Sequence, residues 1–172
     1  MTRTTTLADI KTIMRGGKQD GPLTVKASGI LNYMFSTRML QETEDHKGYS
    51  ITDESMDQLY TMIREPQPGD IVAVVNTGIY LLVEQADNGK TAVCARIEMN
   101  EDFVYRLPQF NVTGEPNDPG SSFNKFPLDN LFVIRRSSFD MEAVKQLYDK
   151  FKHIWALIRT ARTTQHIAER RN

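Results

Sequence analysis

One cysteine, Cys94, is all that a chain of 172 residues contains. No disulfide can form within the chain. That excludes the stapled scaffolds of small secreted domains and points to a reducing compartment. Long apolar runs are missing too. The longest, 71–75 and 79–83, fall far short of the roughly 20 residues of a membrane-spanning helix. The opening stretch 1–8 is threonine-rich and has no apolar core, so it does not read as a signal peptide. The expected location is the cytoplasm, with no membrane partner.

Catalytic equipment is equally sparse. His46, His153 and His166 are the only histidines, and none stands at metal-ligand spacing from the cysteine or from one another. Cys94 lies inside an apolar alternation, where a free thiol behaves as a small hydrophobe. Asp53, Glu54 and Asp57 cluster as a helix N-terminus would place them, where the positive end of the dipole favours carboxylates. Gly16-Gly17-Lys18 lacks the first glycine and the Lys-Ser/Thr ending of a phosphate loop. The expectation is a non-enzyme without metal or cofactor.

What is present is an ordinary globular composition, 40% hydrophobic and 25% charged, on a chain long enough to bury a core unaided. The net charge of −1 is unevenly spread. Residues 1–41 carry six basic and two acidic side chains, and 150–172 carry six and one. Residues 42–70 carry two and eight, and 84–129 carry four and eight. Both ends are basic and the middle is acidic.

The pattern along the chain predicts an α+β protein in three regions: helical 1–67, a β-barrel or meander over 68–136, and a C-terminal helix with a basic tail over 137–172, together one compact unit. Thr6 caps a helix over 7–15 that Gly16-Gly17 ends. Asp20-Gly21-Pro22 reads as a turn, and 23–27 alternates as a short strand. A second helix follows over 28–40, with Ile30, Leu31, Met34 and Phe35 at helical spacing. The polar stretch 41–49 reads as a loop. Thr52 caps a third helix over 53–64 whose inward stripe is Met56, Leu59, Tyr60 and Ile63, and Pro66 and Pro68 stop it.

From Gly69 the texture turns to strands: 71–75, 79–84, 91–99, a short one at 103–107, and 126–134. Asp87-Asn88-Gly89-Lys90 is a type I′ hairpin turn. The proline- and glycine-bearing stretch 108–125 reads as a long loop. Ser138 then caps the longest helix. Its stripe of Met141, Val144, Leu147, Tyr148, Phe151, Ile154, Trp155 and Ile158 faces the body of the protein or a second copy.

Pro68-Gly69-Asp70, the strand 71–75, Gly78, the strand 79–83, then Gly89 and Val93 resemble the opening of an SH3-like barrel of the KOW or Tudor type. In that family a Gly-Asp pair precedes the first strand and a glycine-turned hairpin follows. The resemblance covers 68–134 and implies binding to nucleic acid or to the transcription and translation machinery. A small barrel with helical additions and basic ends is also similar to the DNA-associated early regulators of T4-like bacteriophages, which would place the chain in host cytoplasm.

The function expected is sequence-tolerant nucleic-acid binding, to double-stranded DNA, in a regulatory role that modulates transcription. Phosphate contacts are expected from Arg135, Arg136, Lys150, Lys152, Arg159, Arg162, Arg170 and Arg171. The alternative is an interaction module or inhibitor that turns its acidic 42–70 surface to a protein partner. The C-terminal helix offers a face for a homo-oligomer. Three helices before a hairpin also give the order of a winged helix. Its third helix would carry Asp53, Glu54, Asp57 and Glu65 against Arg64, which excludes that helix from a phosphate-lined groove.

Overall fold

A computed structural model describes residues 8–13 and 23–171. The Gly16-Gly17 stop, the turn at 20–22 and the Thr6 cap lie outside the described residues. Residues 8–13 are helical (α1). Helix α2 spans Val25–Ser36, overturning the strand expected over 23–27. Thr24 decides this, because its hydroxyl accepts a hydrogen bond from the Ala27 amide and caps the helix from its extended conformation. The Val25-Lys26-Ala27 alternation is too short to outweigh that cap.

The stretch read as a loop contains a small hairpin, β1 (Gln41–Glu42) with β2 (Tyr49–Ser50). Helix α3 covers Asp53–Ile63 and is capped by Thr52 as the sequence predicts. Its buried residues are Leu59, Met62 and Ile63, while Tyr60 faces solvent. Met62 takes the inward place assigned to Tyr60, and the tyrosine leaves its hydroxyl in water.

Five strands form one antiparallel sheet: β3 (Asp70–Val74), β4 (Gly78–Ala86), β5 (Thr91–Arg96), β8 (Phe123–Pro127) and β9 (Leu131–Arg136), in the order β8-β5-β4-β3-β9. Two further short strands, β6 (Glu98–Met99) and β7 (Tyr105–Arg106), pair separately. The β4–β5 turn has Asp87 and Asn88 at φ 53° and 58°, the positive values a type I′ turn needs. The strand expected over 126–134 is two strands split by a 3-10 turn, Leu128–Asn130. Pro127 lies at the break, where it cannot donate to a continuing ladder.

The sheet is not closed, since β8 and β9 are its two edges. It cannot be flat either. Opposite edges of a flat five-stranded sheet lie about 19 Å apart, whereas the four steps from Pro127 to Leu131 reach at most about 14 Å. The sheet therefore curls. Val72, Val74, Tyr80, Leu82, Ala92, Cys94 and Leu131 pack together on one face, with Phe126 and Leu128 against them. Among the described residues no α-helix contributes to this cluster, so the curled sheet buries that face on itself.

The other face is covered by helices. One cluster joins Ile10, Ile30, Met34, Leu59 and Met62 to Ala73 and Phe132. The next joins Ile71, Leu81, Val83, Val93, Ala95 and Phe123 to Val144 and Tyr148 of helix α4, Met141–Arg171. The alternation of Val93 and Ala95 against Ala92 and Cys94 falls on opposite faces, as the period of two requires. Ser138 does not cap α4. The Asp140 carboxylate does, accepting from the Glu142 and Ala143 amides at 3.1 and 3.3 Å. Cys94 is wholly buried and its thiol is pushed up to about 12 by loss of solvent, so it stays protonated.

Asp70 ties the end of α3 to β3 and β9. Its carboxylate is fully buried and receives both Arg64 guanidinium nitrogens at 2.7 and 2.8 Å, Arg136 at 3.3 Å and the Gln67 amide at 2.7 Å. Gly69 stands at φ +93°, and a Cβ there would meet the Arg136 guanidinium at 2.9 Å. Burial alone would raise the Asp70 pKa. The Arg64 and Gln67 hydrogen bonds, the Arg64 charge and the Arg136 contact outweigh it and hold the carboxyl below its usual range.

A depressed carboxylate pKa adds stability above the unfolded-state value of about 3.9 and loses it as pH falls through the folded value. Asp70→Asn should therefore cost about 2–4 kcal/mol near neutral pH, less than a wholly buried pair because both arginines reach water. The gap to wild type should narrow on acidification below about pH 4. Urea melts of both proteins across pH check this, and a constant gap contradicts it. In α2, a Cβ on Gly29 would lie 2.5 Å from Val75 Cγ2. Gly29→Ala should destabilise by about 1–3 kcal/mol despite the better helix propensity of alanine. Thermal melts that show a gain in stability would contradict that close packing.

Candidate functional site

Helix α4 buries its first turns and then leaves the sheet. Val144 and Tyr148 are buried, Phe151, Trp155 and Ile158 are half-buried, and Leu157 is exposed. Tyr148, Lys152, Trp155 and Arg159 follow at steps of four, three and four residues, so they share one face of the helix. Opposite them lie β8 and the segment 115–121. Between the two runs a cleft of about 500 Å³.

The wall of the cleft is aromatic. Phe123 from β8 sits 5.0 Å from the Tyr148 ring and 5.2 Å from the Phe151 ring, centre to centre. Trp155 continues the wall outward. Three cations line the cleft, Lys152 and Arg159 from the helix and Lys125 from β8, beside one carboxylate, Glu115, which is paired with Arg162. The Arg159 guanidinium lies 4.0 Å from the centre of the Trp155 ring, a close cation–π contact. Lys152 sits over the Tyr148 ring at 4.6 Å and pairs with exposed Asp149 at 3.3 Å. Lys125 reaches Asp87 only at 3.9 Å. Such exposed pairs are weak and yield readily to a phosphate. Burial, then the charges of Glu84 and Asp149, raise the Tyr148 pKa, so its hydroxyl keeps its proton at neutral pH.

The loop that closes the cleft is held in place. Gly114 packs so tightly on α4 that a Cβ would lie 2.7 Å from Ile158 and 2.9 Å from Arg162. Arg162 donates to the Gly114 carbonyl at 3.1 Å and to Glu115 at 2.9 Å. Asn117 accepts from the Lys125 amide at 3.1 Å, and Asn111 donates to the Gly120 carbonyl at 2.8 Å. Buried Ser122 accepts from the Asn111 amide at 2.8 Å. Arg162 ties the long stretch between β7 and β8 to the helix, and the other bonds order the stretch internally and on β8.

The eight basic residues expected to contact phosphate do not form one surface. Lys152 and Arg159 meet at the cleft. Arg162 straps the loop to the helix. Lys150 lies over the Phe110 ring at 5.2 Å, Arg135 over Tyr105 at 5.3 Å, and Arg136 on Asp70. Arg170 and Arg171 fall within the backbone span of α4, but their side chains lie outside the described residues. Lys125 is a cleft residue that the sequence reading missed. Its signal was the strand alternation of 123–127, which sets it outward between the inward Asn124 and half-buried Phe126.

Among the described residues no group of three or more His, Cys, Asp or Glu could hold a metal ion, and no helix is long and apolar enough to cross a membrane. A second exposed feature is the β6–β7 hairpin. Phe103 at its tip is 80% exposed and holds φ +61°, with Met99 and Val104 exposed beside it. Asn100 fixes this tip, accepting from the Asp102 and Val104 amides at 2.9 Å each.

A bulky side chain in the left-handed region is strained, and Asn tolerates that region far better. Phe103→Asn should therefore raise stability by about 0.5–1 kcal/mol, since so exposed a ring has little packing to give up. Equilibrium unfolding checks this, and a fall in stability would show that the packing of the ring outweighs the strain. No family model, no curated protein and no solved structure matches this chain.

Proposed function

We propose that this chain is a sequence-tolerant nucleic-acid-binding protein with a regulatory role, acting on transcription. The observation that carries the reading is the cleft, in which Lys125, Lys152 and Arg159 rim a wall of Phe123, Tyr148, Phe151 and Trp155. Cations that reach phosphates beside aromatic surfaces that reach bases are the two components of nucleic-acid binding with little sequence reading. The Asn117 and Asn124 side chains that also line the cleft bond the protein's own backbone, which fits tolerance rather than base discrimination.

The SH3-like reading of the sheet belongs to the same proposal. A hairpin-linked run of strands whose last member returns beside the first, with opposite edges joined by one 3-10 turn, supports it. So does the Gly69-Asp70 pair at the start of β3. The kinship with DNA-associated early regulators of T4-like bacteriophages rests on this sheet, the helical additions and the basic ends. The rival reading, a protein-interaction module, is favoured by the exposed Phe103 tip and by the exposed Glu42, Glu44, Asp45, Asp53 and Glu54.

Binding should be salt-dependent, with log affinity falling linearly against log salt. Changing Lys125, Lys152 and Arg159 together to alanine should reduce that slope by roughly 0.7–0.9 for each phosphate no longer neutralised. All three side chains are exposed, so the fold should survive. Fluorescence anisotropy of labelled oligonucleotides at several salt concentrations measures both. A wild type that does not bind at low salt sinks the reading and moves the interaction module ahead.

A further inference from the structure

The sequence leads to an expectation of duplex DNA, and the cleft favours a different form of the ligand. Arg159 is exposed and its guanidinium lies against the Trp155 ring at 4.0 Å. The guanidinium carbon stands over the ring while the side chain stays exposed to solvent. A planar cation held over a ring in this way can serve as a platform for a further flat ring, and Arg planes serve so in single-strand recognition. Deeper in, half-buried Phe151 adds aromatic surface, backed by buried Phe123. The volume of about 500 Å³ falls within the range of about 300–1,000 Å³ typical of small-ligand sites.

Duplex DNA cannot use these features. Its bases already stack on one another and show only their edges in the grooves. A recognition helix enters the major groove as a protruding element. The face of α4 that bears Lys152, Trp155 and Arg159 is instead one wall of a recess, closed across from it by residues 115–125. Arg162 and Gly114 hold that closure in place.

We propose that the cleft is a stacking site for an unpaired nucleobase, so that the protein binds single-stranded nucleic acid in preference to duplex. The base stacks on the Arg159–Trp155 tier, and Lys152 and Lys125 take the flanking phosphates. This rests on the nucleic-acid reading above and goes beyond it in naming the strand form.

Trp155 is the only tryptophan of the chain, so intrinsic fluorescence reports on the site directly. The full chain would be titrated with oligo(dT), with a blunt duplex of equal length, and with an abasic strand of equal charge. Oligo(dT) should quench Trp155 and bind at least about tenfold more tightly than the duplex or the abasic strand. Arg159→Lys keeps the charge and removes the planar platform. It should weaken oligo(dT) binding about tenfold with the salt slope unchanged. Trp155→Ala, followed by anisotropy, should do the same. If duplex or abasic strand binds as tightly as oligo(dT), or if Arg159→Lys binds like wild type, the stacking site is overturned while nucleic-acid binding stands. If none of the three binds at low salt, both fall.

Discussion

Asp70 is a carboxylate removed from water, neutralised by Arg64 six positions before it and by Arg136 66 positions after it. Arg64 ends α3, Asp70 opens β3, and Arg136 closes β9. A lone buried carboxylate would cost several kcal/mol, so the three residues must be assembled together or not at all. That requirement fixes where α3 leaves its helix, how β3 and β9 align, and which way the last strand points into α4. Gly69 serves the same constraint, since the chain enters β3 at φ +93°, a conformation that L side chains rarely adopt. The Gly-Asp pair that marks the start of the strand region in the sequence is thus an electrostatic clasp.

Local chemistry was legible in the sequence. Thr52 and Asn88-Gly89 act within four residues of themselves, and both sit where their chemistry predicts. The apolar run at 71–75 marked a strand, and β3 is buried throughout. Errors came where two local signals competed. Thr24 as a cap overrode a strand-like alternation, and Asp140 displaced Ser138 because its carboxylate reaches two amides at once. Tyr60 and Met62 both lie near the apolar side of α3, and the spacing alone could not say which one turns inward.

The cleft was less legible because it is not local. Its residues come from β5, from 115–125 and from 148–159. The sequence showed the basic residues of the C-terminal segment as one block, but the helical period distributes them around the rod. Lys152, Arg159 and Arg162 stay on the Trp155 face, and Arg162 is taken up by the loop. The loop also read as irregular. Its order depends on Arg162 and Gly114 meeting across 48 positions, which no window of sequence displays.

The curl of the sheet has a consequence for the order in which the chain can acquire its structure. The pairing of β3 with β9 joins residues 66 positions apart, from Asp70 to Arg136. Phe132 on β9 is also part of the surface on which Ile30, Met34, Leu59 and Met62 are buried. During synthesis from the N-terminus, the early helices therefore emerge well before the strand that completes their core. The central hairpin can form early, since its turn is local. The flanking layers must wait until residues beyond 136 have left the ribosome. Long-range closure of this kind slows folding and leaves apolar helix faces exposed in the interval.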